Sequence, residues 1–302
     1  MKTMALVMSF SMLLFSFAFG EDDVSAARGI LTRYLAIPHP VSEWNKAERI
    51  AVLAELKRAP HASVTAAEEV LFDRATAEQR YEIVSALAEY FHTDECARLL
   101  YRVLKDIREA EGEHDREELV HSSAVHGLRM MARRTNRSGG KRVSEGPDFE
   151  PQVRGILPYL IFATNDKSER VRISALYGLA DSRDPAAVPE LKRSLSDSSW
   201  RVRLFAACFL TEYQDASGLA EMCKAPSQLQ TKPADVNESF MYWVENELTL
   251  ASFERIAGKS IGEIPMNPVL SSYSEAEEIA FRKYQELLQS WNQWCNQQPS
   301  LR

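Results

Sequence analysis

Apolar residues recur at spacings of three and four along most of the chain. Ile50, Leu53 and Leu56 form one such series; Ile83, Leu87 and Tyr90 form a second, and Leu99, Val103 and Ile107 a third. This period is that of a helix with one buried side, and such helices must cover that side with neighbours. Polar punctuation falls between the series. Thr65 precedes Glu68 by three residues, Thr76 precedes Gln79 and Ser274 precedes Glu277, each a capping-box spacing that predicts a helix start. No stretch alternates with period two for long enough to predict a sheet, so the expected class is all-α.

The pattern also repeats. At an offset of 31, Arg170-Val171-Arg172 falls on Arg201-Val202-Arg203, Ala175 on Ala206 and Leu179 on Leu210. At an offset of 51, Val120 falls on Val171, and Ser123-Ala124-Val125-His126-Gly127-Leu128 on Ser174-Ala175-Leu176-Tyr177-Gly178-Leu179. The longer offset is accounted for by residues 133–150, a polar insertion, and Ser85-Ala86-Leu87 marks a weaker earlier copy. Small Ala and Gly positions let neighbouring helices approach closely, while Val and Leu fill the seam between stacked repeats.

These residues resemble the HEAT family, in particular the short HEAT-like repeats also found in phycobilisome lyases. The resemblance rests on Val171-Arg172, Ala175 and Leu179, the Asp184-Pro185 turn, Val188, Leu191 and Leu195, and then Arg203, Ala206 and Leu210. It implies a right-handed α-solenoid of stacked helical hairpins, in which Arg172, Arg203 and the loop acids bond to neighbouring repeats. It covers 167–224 strictly and extends in degenerate form back to about residue 44. The C-terminal part departs from the repeat: a helix ends at a glycine within 253–262, Pro265 and Pro268 follow, and a last helix runs from Ser274 to about Cys295. Its Tyr284, Leu287, Leu288, Trp291 and Cys295 share one face, and Trp291 and Trp294 form the W-x-x-W that ends similar bacterial HEAT-repeat proteins. That helix is read as a C-terminal cap on the solenoid; a ligand-stacking role for the tryptophans is the alternative. The resulting division is 1–20 targeting, 21–43 an N-terminal segment, 44–132 degenerate repeats, 133–150 insertion, 151–225 repeats and 226–302 helical cap.

Composition changes the picture in two ways. Only 12 glycines in 302 residues agree with long helices and short connections, and a net charge of −7 removes any general attraction for nucleic acid or anionic membranes. Lys2, the apolar run Met4 to Phe19 and Ala18-Phe19-Gly20 before Glu21-Asp22-Asp23 predict a cleavable signal peptide over 1–20. The 16 residues of that run are short for an uncleaved anchor, which needs about 20. Nothing downstream is apolar enough to span a membrane, so a periplasmic or secreted location is expected. Export permits disulfides among Cys96, Cys208, Cys223 and Cys295. Cys208 and Cys223, on consecutive predicted helices, are the best-placed pair, and four buried free thiols are the alternative.

Candidate chemistry is sparse. His114, Glu117, Glu118 and His121 lie on one helical face and are of divalent-ligand type, but His121 aligns with Arg172, so a structural polar position explains it and no metal is assigned. Arg133, Arg134, Arg137, Lys141 and Arg142 in the insertion are the candidate partner-binding residues, suited to an acidic partner, phosphate or anionic polysaccharide. Gly139-Gly140 lacks the features of a phosphate loop, and Asn136-Arg137-Ser138 and Asn237-Glu238-Ser239 are glycan acceptors only in a eukaryotic secretory pathway. With no nucleophile elbow, no C-x-x-C and no paired carboxylates marked for a cleft, neither catalysis nor a cofactor is expected. The expected function is an exported scaffold binding a protein partner along its inner surface. A lyase- or chaperone-like holder of a prosthetic group and a binder of acidic cell-surface polymer are the alternatives.

Overall fold

The computed structural model describes residues 20–37, 43–73, 75–107, 114–137, 155–229, 248–256, 258 and 274–298. Among the described residues every regular element is helical and no strand occurs, as the hydrophobic period requires. The helices are α1 (Gly20–Ala36), α2 (Glu43–Leu56), α3 (Pro60–Asp73), α4 (Ala77–Tyr90), α5 (Asp94–Asp106), α6 (His114–Arg137), α7 (Leu157–Ala163), α8 (Glu169–Ser182), α9 (Val188–Ser194), α10 (Trp200–Leu210), α11 (Leu219–Met222), α12 (Ala225–Gln228), α13 (248–256) and α14 (Ser274–Asn296). They form two compact units, Met1–Tyr159 and Leu160–Arg302.

In the first unit, helices pack on their sequence neighbours and next-but-one neighbours, the arrangement of stacked helical hairpins. α1 lies on α2 and α3, where Ala27, Ala62 and Ala66 meet under Val24. α4 and α5 both pack on α6, and their buried Ile83, Leu87, Leu100, Val103, Val120, Ala124 and Leu128 fill the seam. Ser85 and Ser123, matched small polar positions of two copies, hydrogen-bond to each other at 3.2 Å. Charge is buried where α1, α2 and α4 converge. Arg49 donates to Glu82 and to Tyr34 Oη (2.6 Å), with its guanidinium 4.4 Å over the Tyr34 ring. Burial pushes the Tyr34 hydroxyl up to about 12 despite the nearby Arg49 charge.

The helix starts show which local rules held. Thr76 makes both halves of a capping box with Gln79, and Thr93 accepts from the Cys96 N–H. Thr65 does not start a helix: α3 begins at Pro60, and the Thr65 hydroxyl donates back to the His61 carbonyl at 3.0 Å from within the helix. A proline in the first turn fixes the helical φ and has no N–H to satisfy, and it outcompetes the later threonine. The Ser274 pairing lies outside the described side chains, although α14 does begin at that residue. Ile50 is 57% exposed, so the buried stripe of α2 runs through Val52, Leu53 and Leu56 instead.

In the second unit α8 and α10 stand side by side, with Tyr177 of α8 set against Phe205 and Phe209 of α10. Val171, Ala175, Leu179, Val202, Ala206 and Leu210, the positions matched at 31 residues, are all buried. α11 follows α10 in contact with it, and Gly218 lies so close to Ala207 that a β-carbon there would sit 2.5 Å from its Cα. α13 and α14 close the far side of α10: Leu250, Phe253, Tyr284, Leu287, Leu288 and Trp291 form one core with Leu204, Ala207, Met222 and Leu229. Gly258, at φ 62°, takes the left-handed conformation, and its N–H bonds the Glu254 carbonyl at the end of the 248–256 helix.

Candidate functional site

The most regular polar residues of the chain join the repeats. Arg172 donates from Nε and Nη2 to both Asp197 oxygens (2.9 and 3.0 Å) and from Nη1 to the Asp166 and Lys167 carbonyls (3.0 and 3.1 Å). Its counterpart Arg203 donates to the Asp197 and Ser198 carbonyls (2.8 and 3.0 Å) and to Glu221 (2.5 Å). In each preceding loop an Asp side chain accepts from the N–H of the Ser two residues on, Asp166 from Ser168 and Asp197 from Ser199, both at 2.8 Å. That Ser then caps the next helix. Burial alone would raise the Asp197 carboxyl, but the Arg172 guanidinium and the Ser199 N–H hold it below the ordinary carboxylate value. A ladder so fully engaged internally is a stacking device.

The exposed faces of the second helices carry different chemistry. In the first unit the Arg102 guanidinium lies 4.4 Å over the Phe72 ring and pairs with Glu68, joining α5 to α3. One residue earlier, Tyr101 stacks on Tyr159 with centroids 4.7 Å apart. The result is a half-exposed band of Phe, Arg and Tyr. In the second unit the corresponding face is more polar. Glu190, buried on α9, accepts from the Thr164 hydroxyl and from Arg193 Nε (2.9 Å). Lys192 pairs with Asp215 at 2.7 Å. The Lys192 ammonium and the Ser217 hydroxyl and N–H bring the Asp215 carboxyl down to about 2.

Most of the candidates read from sequence lie outside the described side chains. Residues 133–137 continue α6 as helix instead of beginning a loop, so Arg133, Arg134 and Arg137 fall on the last turns of that helix; their side chains, and Lys141 and Arg142 altogether, lie outside the described residues. His121 is buried, and its Nε2–H donates to the Ile107 carbonyl at 3.1 Å, which ties the end of α5 to α6. The His114 side chain is outside the described residues, and among the described residues no group of three or more His, Cys, Asp or Glu is placed to hold a metal.

The disulfide expectation requires correction. Cys223 pairs with Cys295, with Cα atoms 5.8 Å apart, while Cys208 and Cys96 are buried thiols. Cys208 points into the core beneath α13, where it faces Thr249, and burial pushes its thiol up to about 12. Trp291 is fully buried against Phe253, and Trp294 meets the same ring edge-on at 4.9 Å, so both tryptophans serve the core of the second unit. A shallow cavity of about 340 Å³ is lined by Pro226, Gln285, Leu288, Gln289 and Asn292 beside α14, neutral and partly amide-walled. Among the described residues no helix is long and apolar enough to cross a membrane.

Paired helices whose matched residues recur at the same contacts define a helical-hairpin repeat protein. Residues 157–229 match the family model described as HEAT repeats, so α7 to α12 are similar to that family. No curated protein matches the chain.

Proposed function

We propose that the protein is an exported, non-catalytic scaffold that binds another protein through the exposed faces of its second helices. The observation that carries this reading is the band formed by Phe72, Arg102, Tyr101 and Tyr159. Aromatic residues and Arg are the side chains that dominate binding energy at protein interfaces, because each offers a large, stiff contact area together with a polar edge. Helical-hairpin repeats present such groups on extended surfaces suited to a partner helix or extended segment. Export is supported by the apolar N-terminal run and its small-residue cleavage pattern. It is supported too by the Cys223–Cys295 disulfide, a bond that persists in oxidising compartments.

The test is affinity capture from the exported fraction with three forms of the chain: intact, Tyr101→Ala/Arg102→Ala, and one lacking 133–142. A reproducible protein partner that is lost with the double variant and kept by the deletion supports the second-helix reading. Loss with the deletion alone, or recovery of acidic polymer, transfers the role to Arg133, Arg134, Arg137, Lys141 and Arg142. Recovery of a bound chromophore would favour the prosthetic-group holder implied by the lyase-type resemblance. Absence of any reproducible protein partner overturns the scaffold.

A further inference from the structure

We infer that the Cys223–Cys295 disulfide is a reducible latch that holds the C-terminal helix closed over the last repeat. The bond joins the turn after α11 to the last helical turn of α14, across 72 residues of sequence. It therefore fixes the C-terminal end of a helix whose docked face is apolar: Tyr284, Leu287, Leu288 and Trp291 lie against Leu204, Ala207, Met222 and Leu229. One buried group opposes docking. Trp291 Nε1–H has no acceptor among the described residues, and it regains a hydrogen bond to water when α14 lifts.

The two ends of the bond differ in access. Cys223 is half-buried on the turn, whereas Cys295 is 8% exposed, so an incoming thiolate meets the Cys223 sulfur first. The reductant is a dithiol. One of its sulfurs attacks Cys223 Sγ to form a mixed disulfide, and Cys295 leaves as thiolate and takes up a proton. The second dithiol sulfur then displaces Cys223, which is protonated in turn. Two electrons and two protons pass to the protein, and the dithiol becomes a cyclic disulfide. With the tie gone, α14 lifts and uncovers the apolar face of α10 to α12.

The remaining thiols report the outcome. Cys208 is fully buried in the core that α13 and α14 complete, while Cys96 is buried in the first unit between α5 and its neighbours. The full-length protein is treated with dithiothreitol without denaturant, alkylated with iodoacetamide, and its peptides quantified by mass spectrometry. The expected pattern is no labelling before reduction, and labelling of Cys223, Cys295 and Cys208 after it, with Cys96 protected. Hydrogen exchange is expected to speed up in α14 and stay unchanged in α4 to α6. The Cys223→Ser/Cys295→Ser variant is expected to label at Cys208 with no reductant present. Labelling confined to Cys223 and Cys295 overturns the latch, because α14 then stays docked without its bond. Equal labelling of Cys96 and Cys208 overturns it too, since the whole chain has then opened, and so does a bond that resists the dithiol.

Discussion

Gly127 and Gly178 are the same repeat position read 51 residues apart, yet their surroundings predict different consequences for one methyl group. A β-carbon at Gly127 would lie 2.7 Å from Ala88 Cα, 2.8 Å from Ala88 Cβ and 2.7 Å from Leu100 Cδ1. Carbon atoms rest at about 3.5–4.0 Å, so α4 and α6 must separate by roughly 1 Å, and the obstacle is backbone that no rotamer change can clear. Overpacking of this kind costs about 1–3 kcal/mol, and parting the helices also loosens the contacts of Ile83, Leu87 and Ala124 along the seam. Ala returns about 1 kcal/mol through its better helix propensity. The net expectation for Gly127→Ala is a loss toward the upper end of that difference, up to about 2 kcal/mol.

At Gly178 the nearest atoms are Leu160 Cδ2 at 2.6 Å and Cδ1 at 3.0 Å, the far end of a side chain that can turn aside. There the propensity gain offsets most of the clash, leaving a loss of about 1 kcal/mol or less. Urea unfolding followed by far-ultraviolet ellipticity measures both losses, and hydrogen exchange assigns the first to α4 and α6. A Gly127→Ala protein as stable as Gly178→Ala would refute the close-approach argument.

Other consequences follow from the same contacts. Arg172→Ala strands Asp197, whose side chain is only 14% exposed, and is expected to cost about 3 kcal/mol in denaturant titration. Thr76→Ala removes a formed capping box and is expected to lose about 1 kcal/mol, while Thr65→Ala, inside α3, should change stability little in the same assay. Asp215, Asp197 and Glu221 all have carboxyls lowered in the folded state, so their stabilisation is full above the ordinary carboxylate range and is lost as pH falls through their lowered values, which for Asp215 is about 2. Acid titration of stability should therefore be shallower for Asp215→Asn than for the parent. Removing the disulfide by Cys295→Ser releases a 72-residue closure and is expected to lower stability by about 4 kcal/mol, read as a shift of the urea midpoint.

The helical class and the seam of the repeats were legible because burial imposes a period on the sequence. Val171, Ala175 and Leu179 of α8 repeat in Val202, Ala206 and Leu210 of α10, and all six are buried. Capping was legible only where nothing stronger competed, as at Thr76; at Thr65 a first-turn proline moved the start five residues upstream. The disulfide was not legible. Consecutive helices suggested Cys208 with Cys223, but Cys208 sits on the side of α10 that faces α13, and the partner of Cys223 arrives from α14. Pairing depends on how the C-terminal segment folds back, a contact without periodicity in the chain. The same holds for Arg102 over Phe72 and Tyr101 on Tyr159, whose partners lie 30 and 58 residues away in sequence with no motif to link them.

Repetition and recognition thus draw on different residues. Arg172 and Arg203, Asp166 and Asp197, and Ser168 and Ser199 are the residues that recur, and each commits its hydrogen-bonding groups to the next helix or loop. A residue held in that way is selected by stacking and offers little to a partner. The second helices vary from copy to copy: α5 presents Tyr101 and Arg102, α9 presents Lys192 and Arg193, and α11 is a single turn that leads to Cys223. Variation on the exposed side of α9 leaves the Arg172–Asp197 rung intact, because that rung is made by a first helix and the loops that precede first helices, whereas Arg203 also relies on Glu221 of α11. The second-helix face can therefore vary without disturbing the Arg172–Asp197 rung, and in the first unit the band on α3, α5 and α7 is the part of that face where Arg and aromatic side chains are concentrated.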